Sequence, residues 1–118
     1  MITIEKYCEW FKKNENLTIK KDGNGYDVNG FFILPEKVMK ARKSIIRTVL
    51  EEVTEWAVYA TEYTPATQFE PEEYDEVEVA REPDFGKALL RVVILEKEND
   101  LSNRLRDWEE EEEIMEMK

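Results

Sequence analysis

The sequence predicts an α+β fold of one domain, and three segments of its 118 residues carry that prediction. Turn signals at Asp22-Gly-Asn-Gly25 and Asn29-Gly30 divide residues 17–34 into three short strands, which indicates a three-stranded antiparallel meander. Residues 36–63 contain no Gly or Pro and carry a broad apolar stripe, which predicts a long central helix. Residues 86–97 begin with a nearly continuous apolar run, which favours a helical C-terminal half, with a strand followed by a helix as the alternative.

The flanking elements follow from helix caps and helix breakers. Residues 4–13 place apolar side chains at helical spacing behind Thr3, a residue type that caps free amides, so we expect a short N-terminal helix. Pro35 suits the first turn of the central helix, because its missing N–H has no intrahelical partner there. Residues 64–71 contain two prolines and predict a loop. A last helix is expected over about residues 101–115.

Two segments are less clearly defined. Residues 72–80 alternate apolar and acidic side chains like a half-exposed strand, yet one or two helical turns fit them as well. Residues 109–118 are rich in glutamate and are expected to form an acidic tail that frays. No internal repeat is visible, so residues 1–118 are expected to form a single acidic domain.

The distribution of charge bounds the class of partner. Residues 1–50 carry ten Lys/Arg against six Asp/Glu, residues 51–118 carry seven against twenty-two, and the formal net charge is −11. Such a surface repels nucleic acid and anionic membranes and attracts basic surfaces, so we expect no direct nucleic-acid or membrane partner. The absence of histidine excludes imidazole catalysis and His-containing metal sites. The single cysteine, Cys8, excludes an internal disulfide and favours a reducing cytoplasm.

The acidic C-terminal half is the first candidate for recognition. Carboxylates spaced along an element can imitate nucleic-acid phosphates and occupy a basic channel, as small acidic phage inhibitors do in general. We therefore predict a small non-enzymatic binding protein, of a phage or other mobile element, that occludes the basic surface of a nucleic-acid-processing enzyme. The alternative is that the charge run only solvates a helix end. The candidate partner-binding residues are Glu72, Glu73, Asp75, Glu76, Asp107, Glu109, Glu110, Glu111, Glu112 and Glu113.

The pentapeptide Glu51-Glu-Val-Thr-Glu55 is the second candidate. On a 36–63 helix Glu52 falls on the apolar face and Glu55 at its edge, and inward carboxylates need a cation or a metal. Two carboxylates at i and i+3 on a helix suit Mg²⁺. The pentapeptide resembles the Glu-Glu-x-x-Glu signature of the MazG-like all-α nucleoside-triphosphate pyrophosphatases. This resemblance implies an active or degenerate Mg²⁺-dependent pyrophosphatase with Glu52 and Glu55 as metal ligands, whereas a binding protein needs no cofactor.

The second half of that family's metal site has two candidate equivalents. Glu72-Glu-Tyr-Asp75 has the family's Glu-x-x-Asp letters. Residues 85–93 resemble the family's Leu-Gly-Asp-φ-Leu-Leu-x-Val-Val helix (φ, any apolar residue), with Lys87 at the position of the metal-binding Asp and Asp84 at that of the Glu. A lysine there would repel the cation, and the N-terminal meander is foreign to an all-α family.

Two further expectations concern charge pairing. Glu52 is expected to point inward and to meet Arg91, the one charged residue within 88–95, because each would compensate the burial of the other. The basic cluster over 37–47 and the acidic half also suit self-association, in which the basic face of one copy meets the acidic face of another. The third hypothesis is therefore a self-assembling structural accessory protein.

Overall fold

The computed structural model describes residues 2–44, 46–97 and 101–117, and its largest element is a five-stranded antiparallel sheet. The strands follow one another in space in chain order, β1-β2-β3-β4-β5. Within these described ranges four helices flank the sheet, one before it and three after it. In chain order the elements are α1 (Ile4–Asn14), β1 (Ile19–Asp22), β2 (Gly25–Val28), β3 (Phe31–Lys43), β4 (Thr48–Thr64), β5 (Glu73–Glu82), α2 (Phe85–Lys97), α3 (Leu101–Arg106) and α4 (Trp108–Met117).

The first three strands form where the turn signals place them. Gly23 has a φ of 59°, and Asn29 and Gly30 have φ values of 51° and 89°, so both turns need residues that tolerate the left-handed region. α1 begins behind Thr3, whose hydroxyl accepts a hydrogen bond from the backbone N–H of Lys6. These three strands are part of the larger sheet and do not form a separate meander.

The predicted fold class is wrong at its centre, because residues 36–63 are not a long helix. They belong to β3 and β4, two long strands that pair in an antiparallel register from Phe32 opposite Tyr59 to Lys43 opposite Thr48. β4 is rich in Val, Thr, Trp and Tyr, the residue types that favour strands over helices. The turn between the strands contains no Gly or Pro. Ser44 closes it by donating its N–H and its hydroxyl to the carbonyl of Arg47.

The structure also defines the secondary structure of residues 73–97 and 101–117. Residues 85–97 form α2, as the apolar run favoured. Residues 73–82 form a strand, β5, which decides between the two alternatives for residues 72–80. The single helix expected over 101–115 is two helices, α3 and α4. Residues 109–117, expected as a fraying tail, are helical, and α4 buries Trp108 and Met115.

The core lies between one face of the sheet and α2. Ile33 and Val58 on the sheet and Leu89, Val93 and Ile94 on α2 are all 0–1% exposed. α1 and α4 close the core with the rings of their aromatic residues and with Met115. Among the described residues, none of the helices is long and apolar enough to span a membrane.

The sheet extends well beyond this core. The chain measures 59 × 41 × 30 Å and has a radius of gyration of 17.2 Å, against about 13–14 Å for a compact domain of this size. β4 alone contributes 17 residues, or about 55 Å of extended chain. Its middle packs on the core, and its two ends project with β3 and β5 as two hairpin arms.

Candidate functional site

The two hairpin arms have opposite charge and lie at opposite ends of β4. We define the basic arm as residues 37–54, in which Lys37 lies opposite Thr54; it carries five Lys/Arg and two acids, Glu51 and Glu52. The acidic arm is residues 60–79, which carry seven Asp/Glu and no Lys/Arg. Part of the charge asymmetry of the sequence is therefore a separation of charge between the two ends of β4, where the bases lie on β3 and its turn and the acids lie mainly on β5 and the loop before it.

The acidic arm places like charges against one another. Glu62 lies directly opposite Asp75 in the β4–β5 ladder, and both residues are exposed. Like charges at such positions destabilise an antiparallel pair by a few tenths of a kcal/mol or more. Tyr63 lies opposite Tyr74 with ring centroids 5.0 Å apart, and this aromatic pair helps to hold the arm together.

The predicted partner-binding residues on this arm are all accessible. Glu72 accepts a hydrogen bond from the hydroxyl of Tyr63 at 3.0 Å. Glu73, Asp75 and Glu76 are exposed and make no side-chain hydrogen bond or ion pair with other described residues. These three carboxylates are therefore available to bind cationic groups of another molecule.

The tips of both arms expose a large apolar side chain. At the acidic tip the hydroxyl of Thr67 accepts hydrogen bonds from the N–H groups of Phe69 and Glu70, and Phe69 is 88% exposed. At the basic tip Ile46 is 91% exposed. Single exposed apolar side chains are common on protein surfaces, so the charges rather than these two side chains distinguish the arms.

A charged network joins the two arms on the face of the sheet away from the core. Glu36 lies opposite Glu55 in the β3–β4 ladder, and Arg81 bonds Glu36 at 2.5 Å and lies 3.7 Å from Glu55. Arg81 also pairs with Glu78, and Lys40 completes the network at 2.7 Å from Glu55. The two basic side chains therefore compensate the opposed glutamates.

Tyr59 adds a neutral donor to this network. Its hydroxyl bonds Glu36 at 2.6 Å. That bond, more than the Arg81 guanidinium, holds the pKa of Glu36 below its ordinary value. The same bond raises the pKa of Tyr59 to about 12. This face is therefore held by matched groups, in contrast to Glu73, Asp75 and Glu76 of the acidic arm.

The predicted partner-binding residues of the C-terminal helices are divided between structure and surface. Glu111 accepts a hydrogen bond from Arg104 at 2.7 Å, and Glu112 accepts a hydrogen bond from the hydroxyl of Tyr7 at 2.6 Å. Burial, followed by that hydrogen bond, raises the pKa of Tyr7. The remaining four are exposed: Asp107, Glu109, Glu110 and Glu113. Part of this acidic run therefore holds α4 on the body.

The geometry does not bring the predicted magnesium ligands together. Glu52 and Glu55 are three residues apart on a strand, so their side chains point to opposite faces, whereas on a helix they would share one. Glu52 is exposed and lies 3.5 Å from Lys37, and Glu55 is paired with Lys40. Within 2–44, 46–97 and 101–117 no group of three or more His, Cys, Asp or Glu is placed to hold a metal ion.

The expected pair between Glu52 and Arg91 is also wrong. Arg91 bonds Glu82 at 2.6 Å, and Lys87 lies 3.8 Å from the same carboxylate. Glu82 ends β5 and is 5% exposed, whereas Glu52 lies on the projecting part of β4. The inference that an inward carboxylate meets Arg91 was sound, but it named the wrong glutamate because the sequence predicted a helix in place of β4.

Sequence reasoning missed the residues that connect the arms to the body. Arg81 and Glu36 lie outside the motifs of the sequence, and only the alternation of residues 76–80 indicates that Arg81 follows a strand. The Tyr63–Tyr74 pair was not predicted either, since it depends on the register of β4 and β5.

Comparison of the chain with protein-family models, curated proteins and solved structures finds no match. The function must therefore be argued from the arrangement of the site.

Proposed function

We propose that this chain is a non-enzymatic interaction protein whose acidic arm binds a basic protein surface. The observation that supports the proposal is the composition of the arm, seven carboxylates and no basic residue on a projecting two-stranded ribbon. Elsewhere on the sheet Glu36 and Glu55, which are also opposed, are compensated by Arg81 and Lys40. On the acidic arm Glu78 is paired with Arg81, but Glu73, Asp75 and Glu76 have no such partner among the described residues, as expected of a surface that meets its cations on another molecule.

The energetics of the arm favour a charged partner. The opposition of Glu62 and Asp75 weakens the β4–β5 pairing in the free protein. A basic surface would attract both carboxylates and offset the repulsion between them. Part of the binding free energy would therefore come from the loss of a repulsion that destabilises the free protein. The side chains on one face of a strand recur every two residues, about 7 Å apart, so the arm presents anions in rows.

A row of anions is the feature that basic nucleic-acid channels bind. We therefore infer that the partner surface is one that normally contacts nucleic acid, as in a nucleic-acid-processing enzyme. Occupation of that surface would exclude the nucleic acid by competition. Because the net charge of −11 repels nucleic acid, the protein itself binds none. The single cysteine is consistent with action in the cytoplasm.

The magnesium-dependent pyrophosphatase hypothesis is not retained. Its ligand pair required a helix over residues 36–63, and the strand β4 directs Glu52 and Glu55 to opposite faces.

The test compares two variants with the same loss of charge. In the arm variant Glu62, Glu73 and Glu76 become Gln and Asp75 becomes Asn. In the α4 variant Glu109, Glu110 and Glu113 become Gln and Asp107 becomes Asn. Each immobilised protein is exposed to bacterial lysate at about 0.1 M and about 1 M salt, over which the Debye length falls from about 10 Å to about 3 Å. Captured proteins are identified by mass spectrometry, purified and measured by surface plasmon resonance.

We expect the wild-type protein and the α4 variant to capture the same basic protein at low salt, and the arm variant to lose it. The loss should appear mainly as slower association, because exposed charges act on the encounter rate. Capture that survives in the arm variant and fails in the α4 variant would move the site to α4. Equal capture by all three proteins would refute the proposal.

A further inference from the structure

Two strands of the described sheet carry long edges that no other strand pairs with. β2 pairs with β3 only through Phe31–Ile33, so from Leu34 to Lys43 the outer edge of β3 has no strand beside it. β5 pairs with β4 on one side, and its other edge is an outer edge of the sheet. Such edges present backbone N–H and C=O groups that are able to pair with a further strand.

The two edges match in length and oppose each other in charge. The free edge of β3 covers residues 34–43, and β5 is ten residues long. The β3 edge carries Lys37, Lys40, Arg42 and Lys43 with one acid, Glu36. β5 carries five acids with one base, Arg81. Two β3 edges would repel each other, as would two β5 edges, whereas a β3 edge and a β5 edge attract.

Exposed apolar side chains lie among these charges. Met39 on β3 is 58% exposed, and Val77 and Val79 on β5 are 39% and 42% exposed. An added strand would place such side chains beside those of its neighbour and remove part of their surface from water. The charges thus select the partner edge, and the apolar groups add attraction that salt does not screen.

We propose that β5 of one copy adds to the free β3 edge of a second copy, so that the sheet continues from chain to chain. This inference rests on the proposed function, because it uses the acidic arm and names the basic arm of another copy as one surface that it binds. The contact joins two different surfaces, so a pair of copies keeps one free β3 edge and one free β5 edge, and the assembly grows as a chain or closes as a ring. Capture of an external basic protein and self-association then compete for the same arm.

Charge reversal in two positions on each edge gives the test. Arg42→Glu with Lys43→Glu reverses the β3 edge, and Glu73→Lys with Glu76→Lys reverses the β5 edge. All four side chains are exposed and make no hydrogen bond or ion pair with other described residues, so both variants should fold. A control, Glu109→Lys with Glu110→Lys, has the same net charge as the β5 variant but leaves both edges unchanged.

Sedimentation velocity over a range of protein concentration measures the association. The wild-type protein and the control should sediment faster as concentration rises at low salt. Each edge variant alone should reach the same degree of association only at a protein concentration about tenfold higher or more. An equimolar mixture of the two edge variants should associate again, because its reversed edges are complementary. Hydrogen exchange of the associated sample should slow at residues 34–43 and 73–82.

Three results would overturn the inference: a wild-type protein that stays monomeric, edge variants that associate like the wild type, or association without slower exchange at these edges. The proposed function is tested separately. A monomeric wild-type protein that still captures a basic partner through the acidic arm removes only the self-association. If self-association depends on the two edges but the arm variant still captures the external protein, only the proposal of an external basic partner for the arm is refuted.

Discussion

The indole N–H of Trp108 donates a hydrogen bond to Oδ2 of Asp84 at 3.1 Å, and the other oxygen of the same carboxylate accepts the N–H of Gly86 at 2.7 Å. Asp84 therefore caps the start of α2 and holds the start of α4 at once. Because α2 forms much of the core and α4 carries Trp108 and Met115 into it, one carboxylate fixes the relative position of two helices.

Replacement of Asp84 by Ala should destabilise the fold by about 2–4 kcal/mol. The loss combines a helix cap, about 1 kcal/mol, with an indole N–H left without its acceptor, about 1–3 kcal/mol. Urea unfolding monitored by circular dichroism gives the value. Trp108→Phe and the double variant complete a cycle, and additive losses would show that the two side chains do not interact.

Replacement of Gly86 by Ala should destabilise the fold by about 1–3 kcal/mol, the usual cost of overpacking a core. A Cβ at this position would overlap the ring of Tyr7 and lie 2.7 Å from Cζ2 of Trp108. Both rings are buried, with Tyr7 7% and Trp108 5% exposed, so neither can turn out into solvent to make room. Near-ultraviolet circular dichroism should report the disturbed rings, and an unchanged spectrum with unchanged stability would contradict the expected clash.

The ion pair between Glu82 and Arg91 should respond asymmetrically to its two deletions. Arg91→Met leaves Glu82, whose side chain is 6% exposed, with only Lys87 at 3.8 Å. We expect a loss of about 2–4 kcal/mol. Glu82→Gln leaves an arginine that is 28% exposed and able to reach water, so its loss should be smaller. Urea unfolding of both variants decides the order, and a larger loss for Glu82→Gln would be evidence against this account.

The bond between Tyr59 and Glu36 should give stability that depends on pH at both ends of the scale. The pKa of Tyr59 is raised to about 12, so its contribution is complete below its ordinary value of 10.0 and is lost as pH rises through about 12. The pKa of Glu36 is lowered from 4.5, so its contribution is present above 4.5 and is lost as pH falls through the lowered value. The stability difference between wild type and Tyr59→Phe should therefore be largest near neutral pH.

The measurement is the free energy of unfolding of both proteins from acid to alkaline pH. Burial and its bond to Glu112 also raise the pKa of Tyr7, but that residue is present in both proteins, so the difference isolates Tyr59. A difference that stays constant with pH would mean that the hydroxyl does not bond an ionised Glu36.

Local signals in the sequence predicted the parts of this fold that depend on nearby residues. Asn29-Gly30 marks a turn because few other residues tolerate its backbone angles, and the apolar run of α2 is long enough to favour a buried helix. The C-terminal pair of helices was merged into one because no Gly or Pro separates Arg106 from Trp108.

The arms were missed because their strands satisfy a helical pattern by coincidence. Val49, Val53, Trp56 and Ala60 recur at helical spacing, yet Trp56, Val58 and Ala60 also alternate, and that alternation sets the face of β4 that meets the core. A helix over residues 36–63 would place basic residues before acidic ones, an order that opposes the helix dipole. In the hairpin this order carries no such cost, because Lys37 and Lys40 lie beside Glu52 and Glu55. The acidic composition of the arm was visible in the sequence, but its projection depends on long-range pairing that the sequence does not display.

Because β4 runs without interruption from one arm to the other, its length sets the distance between two oppositely charged tips. An extended strand cannot lengthen further, so the number of residues in β4 fixes that distance. Inserting two residues into both strands of a hairpin, between the core and its arm, would move that tip outward by about 7 Å and leave each side chain on the same face of the sheet. Inserting one would turn the arm over, exchanging the face that carries Tyr63 for the face that carries Glu62.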